Sequence, residues 1–246
     1  MRLAKFIALS GECSRRAASR LIDAGAVAVN GALADHLTFV SEKDDVVVSG
    51  KRVSLNCQRE YIAYYKPIGI DCNFDVNDPA SLINHIETLP SKRLFPVGRL
   101  DKDSRGLLLL TNDGECCHRL LSPSYKQPKT YIVKVSPAFW RIAQNRLALD
   151  DEFIQALSLG VEIDGQMTLP CSVAILADDV FKIVLTQGLN RQIRKMAKSQ
   201  GFVVDDLKRV SFANITLDGL AQGQQRSLTE QEIESIMCLC GLGKSL

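Results

Sequence analysis

The sequence predicts an α+β protein of two domains, a small one followed by a larger one. Short helical patterns and a hairpin signal fill the first 50 residues, whereas apolar strand patterns separated by turns and helices follow. A chain of 246 residues has ample length for a core in the larger piece. We place the small domain at residues 1–50, a polar linker without periodicity at 51–59, and the larger domain at 60–246.

The small domain is predicted to contain two helices and a hairpin. Apolar residues recur at helical spacing over 2–10, and Gly11 follows as a C-terminal cap. Ser14 is an N-cap for a second helix that runs to Ala24. The strand pattern at 26–29 leads into Asn30-Gly31, a tight hairpin signal, and 45–48 supplies a further strand.

Charge is distributed unevenly along the chain. The net charge is only +2, yet the first twenty residues carry five cations against the single carboxylate of Glu12. These cations are Arg2, Lys5, Arg15, Arg16 and Arg20, and their clustering suggests a basic face. The alternative from this segment alone is an ordinary solvated helix.

The eight cysteines include no Cys-x-x-Cys pair, and the three histidines lie far apart. We therefore expect neither a zinc site nor a thiol redox motif, and interpret most cysteines as small core residues in a reducing compartment. The N-terminus does not resemble a secretory signal, and no apolar run reaches about 18 residues. These features predict a soluble cytoplasmic protein.

A polar loop at residues 98–106 organises the larger domain. It reads Gly-Arg-Leu-Asp-Lys-Asp-Ser-Arg-Gly and lies between an apolar run at 94–97 and a second at 107–110, which ends in Thr-Asn-Asp-Gly. This pattern predicts a loop between two buried strands, with Asp101 at the mouth of a core. A lone loop aspartate is most often a turn-former.

Other segments of the larger domain carry recognisable patterns. Predicted strands cover 61–65, 129–135, 168–176 and 181–185. Predicted helices cover 114–121, 138–149, a segment that begins at Asn190 as its cap, and a last helix to about Cys240. Thr229 and Glu232 form a capping box for that last helix.

Three separated motifs resemble those of pseudouridine synthases that modify bacterial ribosomal RNA. They are the 98–106 loop with its Thr-Asn-Asp-Gly ending, Lys-Pro-Ile-Gly at 66–69, and Thr-Gln-Gly-Leu-Asn-Arg-Gln-Ile-Arg at 186–194. Residues 14–31 resemble the S4 RNA-binding domain, and this resemblance implies that the five cations of the first twenty residues contact RNA phosphates. The resemblance implies an S4-like domain followed by a catalytic domain with a mixed, mainly antiparallel sheet flanked by helices, and it implies no cofactor.

The resemblance also implies a catalytic set. Asp101 would be the nucleophile that attacks the sugar or base, or the base that removes a ribose proton. Tyr131 would stack on the flipped uracil or guide a proton at C5, although a strand tyrosine is more often a core residue. Arg194 would pair with Asp101.

The resemblance implies roles for other residues that stand at matching positions of the motifs. Ile193 would line the pocket, Arg191 would face RNA phosphate, and Arg99 would fill the space that a flipped base leaves. Lys66 is interpreted as structural and solvated beside a proline turn. Tyr65 stands where the family has Asn, so the amide hydrogen bond of that position is lost.

The predicted function is conversion of one uridine to pseudouridine in ribosomal RNA, with the large subunit favoured; small-subunit ribosomal RNA and transfer RNA are the alternative substrates. A monomer without membrane association is expected. One rival is a non-catalytic S4 factor in ribosome assembly. A carboxylate hydrolase using Asp101 and Asp103 is a third interpretation, but acids two residues apart do not indicate the paired geometry it needs.

Overall fold

The computed structural model describes residues 1–55, 58–86 and 93–243. The chain divides into two compact units, of which the first includes Met1–Tyr61 and Thr111–Gly114. The second includes Ile62–Ile86, Pro96–Leu110 and the described residues from Glu115 onward. Within the described ranges, no helix is long and apolar enough to cross a membrane.

The first unit contains two helices and a small sheet. Its elements are α1 (Leu3–Leu9), α2 (Arg15–Asp23), β1 (Val27–Val29), β2 (Ala32–Leu33), β3 (Val46–Val48) and β4 (Lys51–Val53). The strands lie in the order β2-β1-β3-β4. One apolar core joins helices to sheet and includes Phe6, Ile22 and Val46.

The local signals of this unit are confirmed. Ser14 Oγ accepts a hydrogen bond from the Ala17 amide at 3.0 Å, as an N-cap does. Asn30 and Gly31 both have positive φ, 52° and 83°, as the tight turn between β1 and β2 requires.

The predicted linker begins too early, because residues 51–53 are strand β4. These residues pair with β3 across the Ser49-Gly50 turn, and Val53 is buried in the core. Lys51 and Arg52 are exposed and Val53 points inward, as is possible on a strand at the edge of the sheet. Residues 56 and 57 of the linker lie outside the described residues, and the domain bounds remain a prediction.

The second unit is built on a large sheet. Its strands are β5 (Tyr61–Lys66), β6 (Phe95–Pro96), β7 (Arg105–Thr111), β8 (Lys129–Pro137), β9 (Glu162–Ile163), β10 (Gln166–Met167), β11 (Ser172–Ala177), β12 (Val180–Leu185), β13 (Phe202–Phe212), β14 (Ile215–Thr216) and β15 (Gln225–Ser227). Its helices are α3 (Gly114–Leu121), α4 (Phe139–Ala143), α5 (Asp151–Leu159), α6 (Gln192–Ser199) and α7 (Glu230–Leu239).

The main sheet is mixed, as predicted. Its order is β11-β12-β8-β13-β7-β5-β15, while β9 and β10 form a separate hairpin. Strand β13 runs parallel to β7 and antiparallel to β8, and β12 is antiparallel to both β8 and β11. The α+β class with a mainly antiparallel mixed sheet is therefore confirmed.

Several predicted elements have different bounds. The helix expected over 138–149 is only α4, which ends before Asn145, a residue with φ of 56°. The strand expected from 168 begins at Ser172. The capping box of Thr229 and Glu232 is confirmed, and α7 ends at Leu239 with Cys240 as its C-cap.

Candidate active site

The 98–106 loop joins β6 to β7, as the sequence predicts. Leu107 through Leu110 of β7 are all buried, which anchors the C-terminal end of the loop in the sheet. Within the loop, the Ser104 amide donates to the Asp101 carbonyl at 3.0 Å and closes a turn. The Asp101 side chain remains 38% exposed, so its carboxylate is accessible to a ligand.

A cavity of about 330 Å³ opens beside this loop. It brings together five of the predicted site residues: Arg99, Asp101, Tyr131, Arg191 and Ile193. They come from the loop, from β8 and from the start of α6, which are far apart in sequence. The fold therefore assembles one concave site with a carboxylate, an aromatic ring and several cations.

Tyr131 belongs to the sheet wall of the cavity. It lies on β8 between Ile183 of β12 and Arg209 of β13, and only 9% of it is exposed. A partly accessible ring at a cavity wall is suited to stacking against a planar base.

The guanidinium that reaches Asp101 belongs to Arg191. Its Nη1 lies 3.4 Å from Asp101 Oδ2, and its Nη2 lies 2.8 Å from Asp103 Oδ2. Arg191 thus bridges the two loop carboxylates. The hydrogen bond from Arg191 holds the pKa of Asp103 below its usual range.

The pairing predicted between Arg194 and Asp101 is wrong in this structure. Arg194 donates to the backbone carbonyls of Val204 at 3.0 Å and Asp103 at 2.9 Å, and to Ser104 Oγ at 3.2 Å. Its Nη2 also lies 3.3 Å from Asp103 Oδ1, and its side chain is only 14% exposed. Arg194 lies in the first turn of α6, and its hydrogen bonds to these acceptors hold the backbone of the 98–106 loop. Arg191, at the start of the helix, lies beside Asp101 instead.

The predicted cap of α6 is also wrong. The N-cap position is occupied by Arg191, whose φ of 51° is left-handed and whose side chain caps nothing. Asn190 Oδ1 instead accepts from Lys195 Nζ at 3.4 Å. The left-handed residue turns the chain at the helix start and places the Arg191 side chain over the 98–106 loop.

Lys66 is structural but not solvated. It is fully buried, and its Nζ donates to the carbonyls of Pro67 at 2.9 Å and Ile70 at 2.7 Å. Burial lowers the pKa of this lysine. Lys66 therefore closes the Lys-Pro-Ile-Gly turn by bonding carbonyls on both sides of it.

Tyr65 supplies a hydrogen bond of its own in place of the missing amide. Its hydroxyl accepts from Arg105 Nη1 at 2.7 Å, and Arg105 forms a bidentate ion pair with Asp206. This network ties β5 to the start of β7, directly after the Asp101 loop.

The five predicted RNA-binding cations are all exposed in the first unit. Arg15, Arg16 and Arg20 lie on α2, the last two one turn apart on the same face. Arg2 lies over the exposed Phe39 ring, 5.0 Å from its centroid.

The sequence patterns did not reveal two cavity residues, Lys129 and Arg209. Lys129 lies two residues before Tyr131 on β8, so both project on the same side of that strand. Arg209 lies on β13, and no strand is predicted from the sequence over 202–212, so no pattern indicated that Arg209 would reach a cavity.

Two protein-family models match this chain. The model for the RNA pseudouridylate synthase family matches residues 60–199, and the S4 domain model matches residues 1–47. The chain is 38% identical to the dual-specificity RNA pseudouridine synthase RluF of Escherichia coli K12, over 95% of this chain and 77% of that protein.

Two further proteins match almost end to end. The ribosomal large subunit pseudouridine synthase B of Bacillus subtilis is 34% identical over 99% of this chain and 98% of its own. A solved structure described as a pseudouridylate synthase superposes with a TM-score of 0.68 at 28% identity, covering 96% and 99% of the two chains.

Proposed function

The chain belongs to the RNA pseudouridylate synthase family, and we propose from this that it converts one uridine of large-subunit ribosomal RNA to pseudouridine, using Asp101. In that reaction the bond from uracil N1 to ribose C1′ breaks and a bond from C5 to C1′ forms. No atom is gained or lost overall. A carboxylate can take up C1′ covalently or remove a ribose proton, and either step divides the reaction into easier parts.

The observation that carries this proposal is the shared cavity of Asp101 and Tyr131. A stacked uridine cannot bring its glycosidic bond to a carboxylate, so the target must flip out of its RNA at a cost of roughly a few kcal/mol. In the proposed complex, Tyr131 stacks on the flipped base, Ile193 contacts its edge, and Arg191 orients Asp101. Arg99, exposed at the rim, fills the space that the base has left.

The proposed RNA substrate rests on the cations of the first unit and on the names of two relatives. Exposed Arg2, Lys5, Arg15, Arg16 and Arg20 support phosphate binding by the first unit, which positions RNA without reading its bases. Large-subunit RNA is favoured because the name of the Bacillus subtilis relative specifies that subunit. Transfer RNA is retained as a second substrate class, since the Escherichia coli relative is named for dual specificity.

We propose that the enzyme acts as a monomer in the cytoplasm. One copy of the chain supplies the carboxylate, the tyrosine and the arginine that the proposed reaction uses, so the proposal needs no residue from a second copy. Ribosomal RNA as the substrate favours the cytoplasmic location.

The rival function is that of a non-catalytic S4 factor in ribosome assembly. A direct test incubates the protein with large-subunit ribosomal RNA, small-subunit ribosomal RNA and transfer RNA, and then maps pseudouridine in each. We expect one new pseudouridine in the large-subunit RNA. Binding to RNA without any pseudouridine would favour the assembly factor, and modification confined to another RNA would overturn the substrate assignment.

A further inference from the structure

Arg209 is a buried cation at the wall of the Asp101 cavity. It is 2% exposed, and its Nε donates to the Leu107 carbonyl at 2.7 Å. Its Nη2 has no hydrogen-bond partner among the described residues. A buried guanidinium with an unused donor is costly unless something else accepts from it. A substrate in the cavity is therefore the natural acceptor to consider.

The sheet directs Arg209 toward the cavity. Arg209 lies directly opposite Tyr131 in the antiparallel β8–β13 pair, so the two side chains leave the sheet on the same face. A register shift between Arg209 and Ser211 then brings Phe212 opposite Lys129. As a result Lys129, Tyr131, Arg209 and Phe212 all line the cavity.

Gly106 permits this arrangement. It pairs with Arg209 in the parallel β7–β13 contact, and a Cβ there would lie 2.2 Å from the Arg209 carbonyl oxygen. Without a side chain at Gly106, β13 approaches the end of the Asp101 loop closely. The close approach puts Arg209 and Asp101 in one cavity.

Lys129 adds a second cation to the same wall. Its Nζ donates to the Gln127 carbonyl at 3.1 Å and lies 5.2 Å from the centre of the Phe212 ring. Burial, and then the positive charge of Arg209, lower its pKa to about 8. Lys129 and Arg209 are therefore close enough for their charges to interact.

The charge lining the cavity is strongly positive. It comprises Arg99, Lys129, Arg191 and Arg209 against the single carboxylate of Asp101. Arg191 is engaged by Asp101 and Asp103, whereas the described residues offer no carboxylate partner to Arg209 or Lys129. A site of this kind is suited to an occupant that becomes negatively charged.

The reaction produces such an occupant. When the N1–C1′ bond breaks, its electron pair stays on the base, and the resulting uracil anion spreads its charge over N1, O2 and O4. This holds whether Asp101 takes up C1′ or removes a ribose proton. C5 of the anion then bonds to C1′. This step releases the Asp101 carboxylate from C1′ in the first route, and Asp101 returns the proton to the ribose in the second. C5 then loses a proton and N1 gains one.

We propose that Arg209, with Lys129 beside it, binds a carbonyl oxygen of the detached uracil and stabilises its negative charge. This inference rests on the proposed function. Arg209 becomes a catalytic residue, because its guanidinium contacts the reacting base. Lys129 strengthens the positive potential at the same oxygen.

The test combines a change in the protein with a change in the substrate, in the manner of a double-mutant cycle. A target RNA is made with uridine, 2-thiouridine or 4-thiouridine at the modified position, because sulfur is a weak hydrogen-bond acceptor. Single-turnover rates are measured for wild type and Arg209→Met on all three. Arg141→Met is the matched control, since Arg141 is also a buried arginine, 3% exposed, but lies on α4 and does not line the cavity.

We expect Arg209→Met to slow the uridine substrate on the order of tenfold or more, the size of a lost hydrogen bond to a charged group. One thio substitution should slow wild type and Arg141→Met but leave Arg209→Met nearly unaffected. If Arg209→Met does not fold, the cycle is run with Arg209→Lys, which keeps the charge. Equal thio effects in all proteins would overturn the inference, whereas no product from wild type would instead overturn the proposed function.

Discussion

Arg191 Nη1 lies 3.4 Å from Asp101 Oδ2, and the same guanidinium makes a shorter contact, 2.8 Å, with Asp103 Oδ2. Asp103 therefore acts as a brace that holds Arg191 over the proposed nucleophile. Arg194 contributes from the other side by bonding the Asp103 carbonyl and Ser104. These two arginines thus fix one loop, but only Arg191 contacts Asp101 directly.

The two arginines should be separable by the pH dependence of the rate. Arg191→Met should slow single-turnover pseudouridine formation about tenfold or more, because a charge-assisted hydrogen bond is lost. Since Arg191 holds the pKa of Asp103 down, its removal lets Asp103 take up a proton at higher pH than in wild type. Protonation of Asp103 removes the brace on Arg191 in wild type, but Arg191→Met has no brace to lose. The deficit of Arg191→Met should therefore not widen as the pH falls toward about 4, the ordinary pKa of an aspartate.

Arg194→Met is the matched comparison. It removes hydrogen bonds to two backbone carbonyls and a 3.3 Å ion pair with Asp103, so it should lower the free energy of unfolding. Because the charge of Arg194 also lowers the pKa of Asp103, Asp103 should release Arg191 at a higher pH in this variant, and the deficit of Arg194→Met should widen as the pH falls. Identical pH profiles for the two variants would refute the division of roles between Arg191 and Arg194.

Gly106→Ala should destabilise the second unit strongly. Gly106 has φ of +116°, and an added Cβ would meet the backbone of Arg209. Strain and overlap together should cost at least about 2 kcal/mol of unfolding free energy. Gly188→Ala is the control, since nothing lies within 4 Å of its added Cβ, and it should change stability by less than about 0.5 kcal/mol. Urea unfolding monitored by circular dichroism measures both, and equal small changes would contradict the close β7–β13 approach.

The lowered pKa of Lys129 should make the free energy of unfolding depend on pH. Its folded pKa is about 8, against an ordinary value of 10.5. Between these two pH values the unfolded chain binds more protons than the folded one, so wild-type stability should gain a rising component from pH 8 to about 10.5. Below that range the lysine is charged in both states, and the full cost of burying that charge is present.

Lys129→Met should lack this component. The measurement is the free energy of unfolding of both proteins at several pH values between about 7 and 10.5, compared as a difference. A difference that does not change with pH would show that Lys129 keeps an ordinary pKa in the folded protein.

The exposed cations of α2 should govern the salt dependence of RNA binding. Replacing Arg15, Arg16 and Arg20 by Gln should weaken binding to the RNA substrate at low salt. The slope of log affinity against log salt should become shallower by about one for each phosphate that is no longer neutralised. Titrations of RNA at several salt concentrations measure the slope, and an unchanged slope would remove α2 from the interface.

Local chemistry made part of the fold predictable. Ser14, the Asn30-Gly31 pair and the Thr229–Glu232 box act through neighbouring backbone groups, so their sequence signals translate directly into structure. The leucine run at 107–110 likewise marked a buried strand beside the Asp101 loop.

The central strand was not predictable in the same way. β13 carries Asp206 and Arg209, and two register shifts against β8 interrupt its alternation, so the segment lacks the pattern of a buried strand. The sequence also could not distinguish Arg191 from Arg194 as the partner of Asp101. That choice depends on the left-handed backbone at Arg191 and on carbonyl acceptors from β13 and the loop.

The role of Asp101 is decided by single-turnover pseudouridine formation with Asp101→Asn, and Asp103→Asn is the matched control. The amide keeps the shape of Asp101 but can act neither as nucleophile nor as base, so product formation should fall at least about a thousandfold while RNA affinity stays near wild type. Asp103→Asn should retain measurable turnover, because it loses ion pairs with Arg191 and Arg194 but not the carboxylate proposed to react. Wild-type turnover by Asp101→Asn would show that this carboxylate does not carry the reaction.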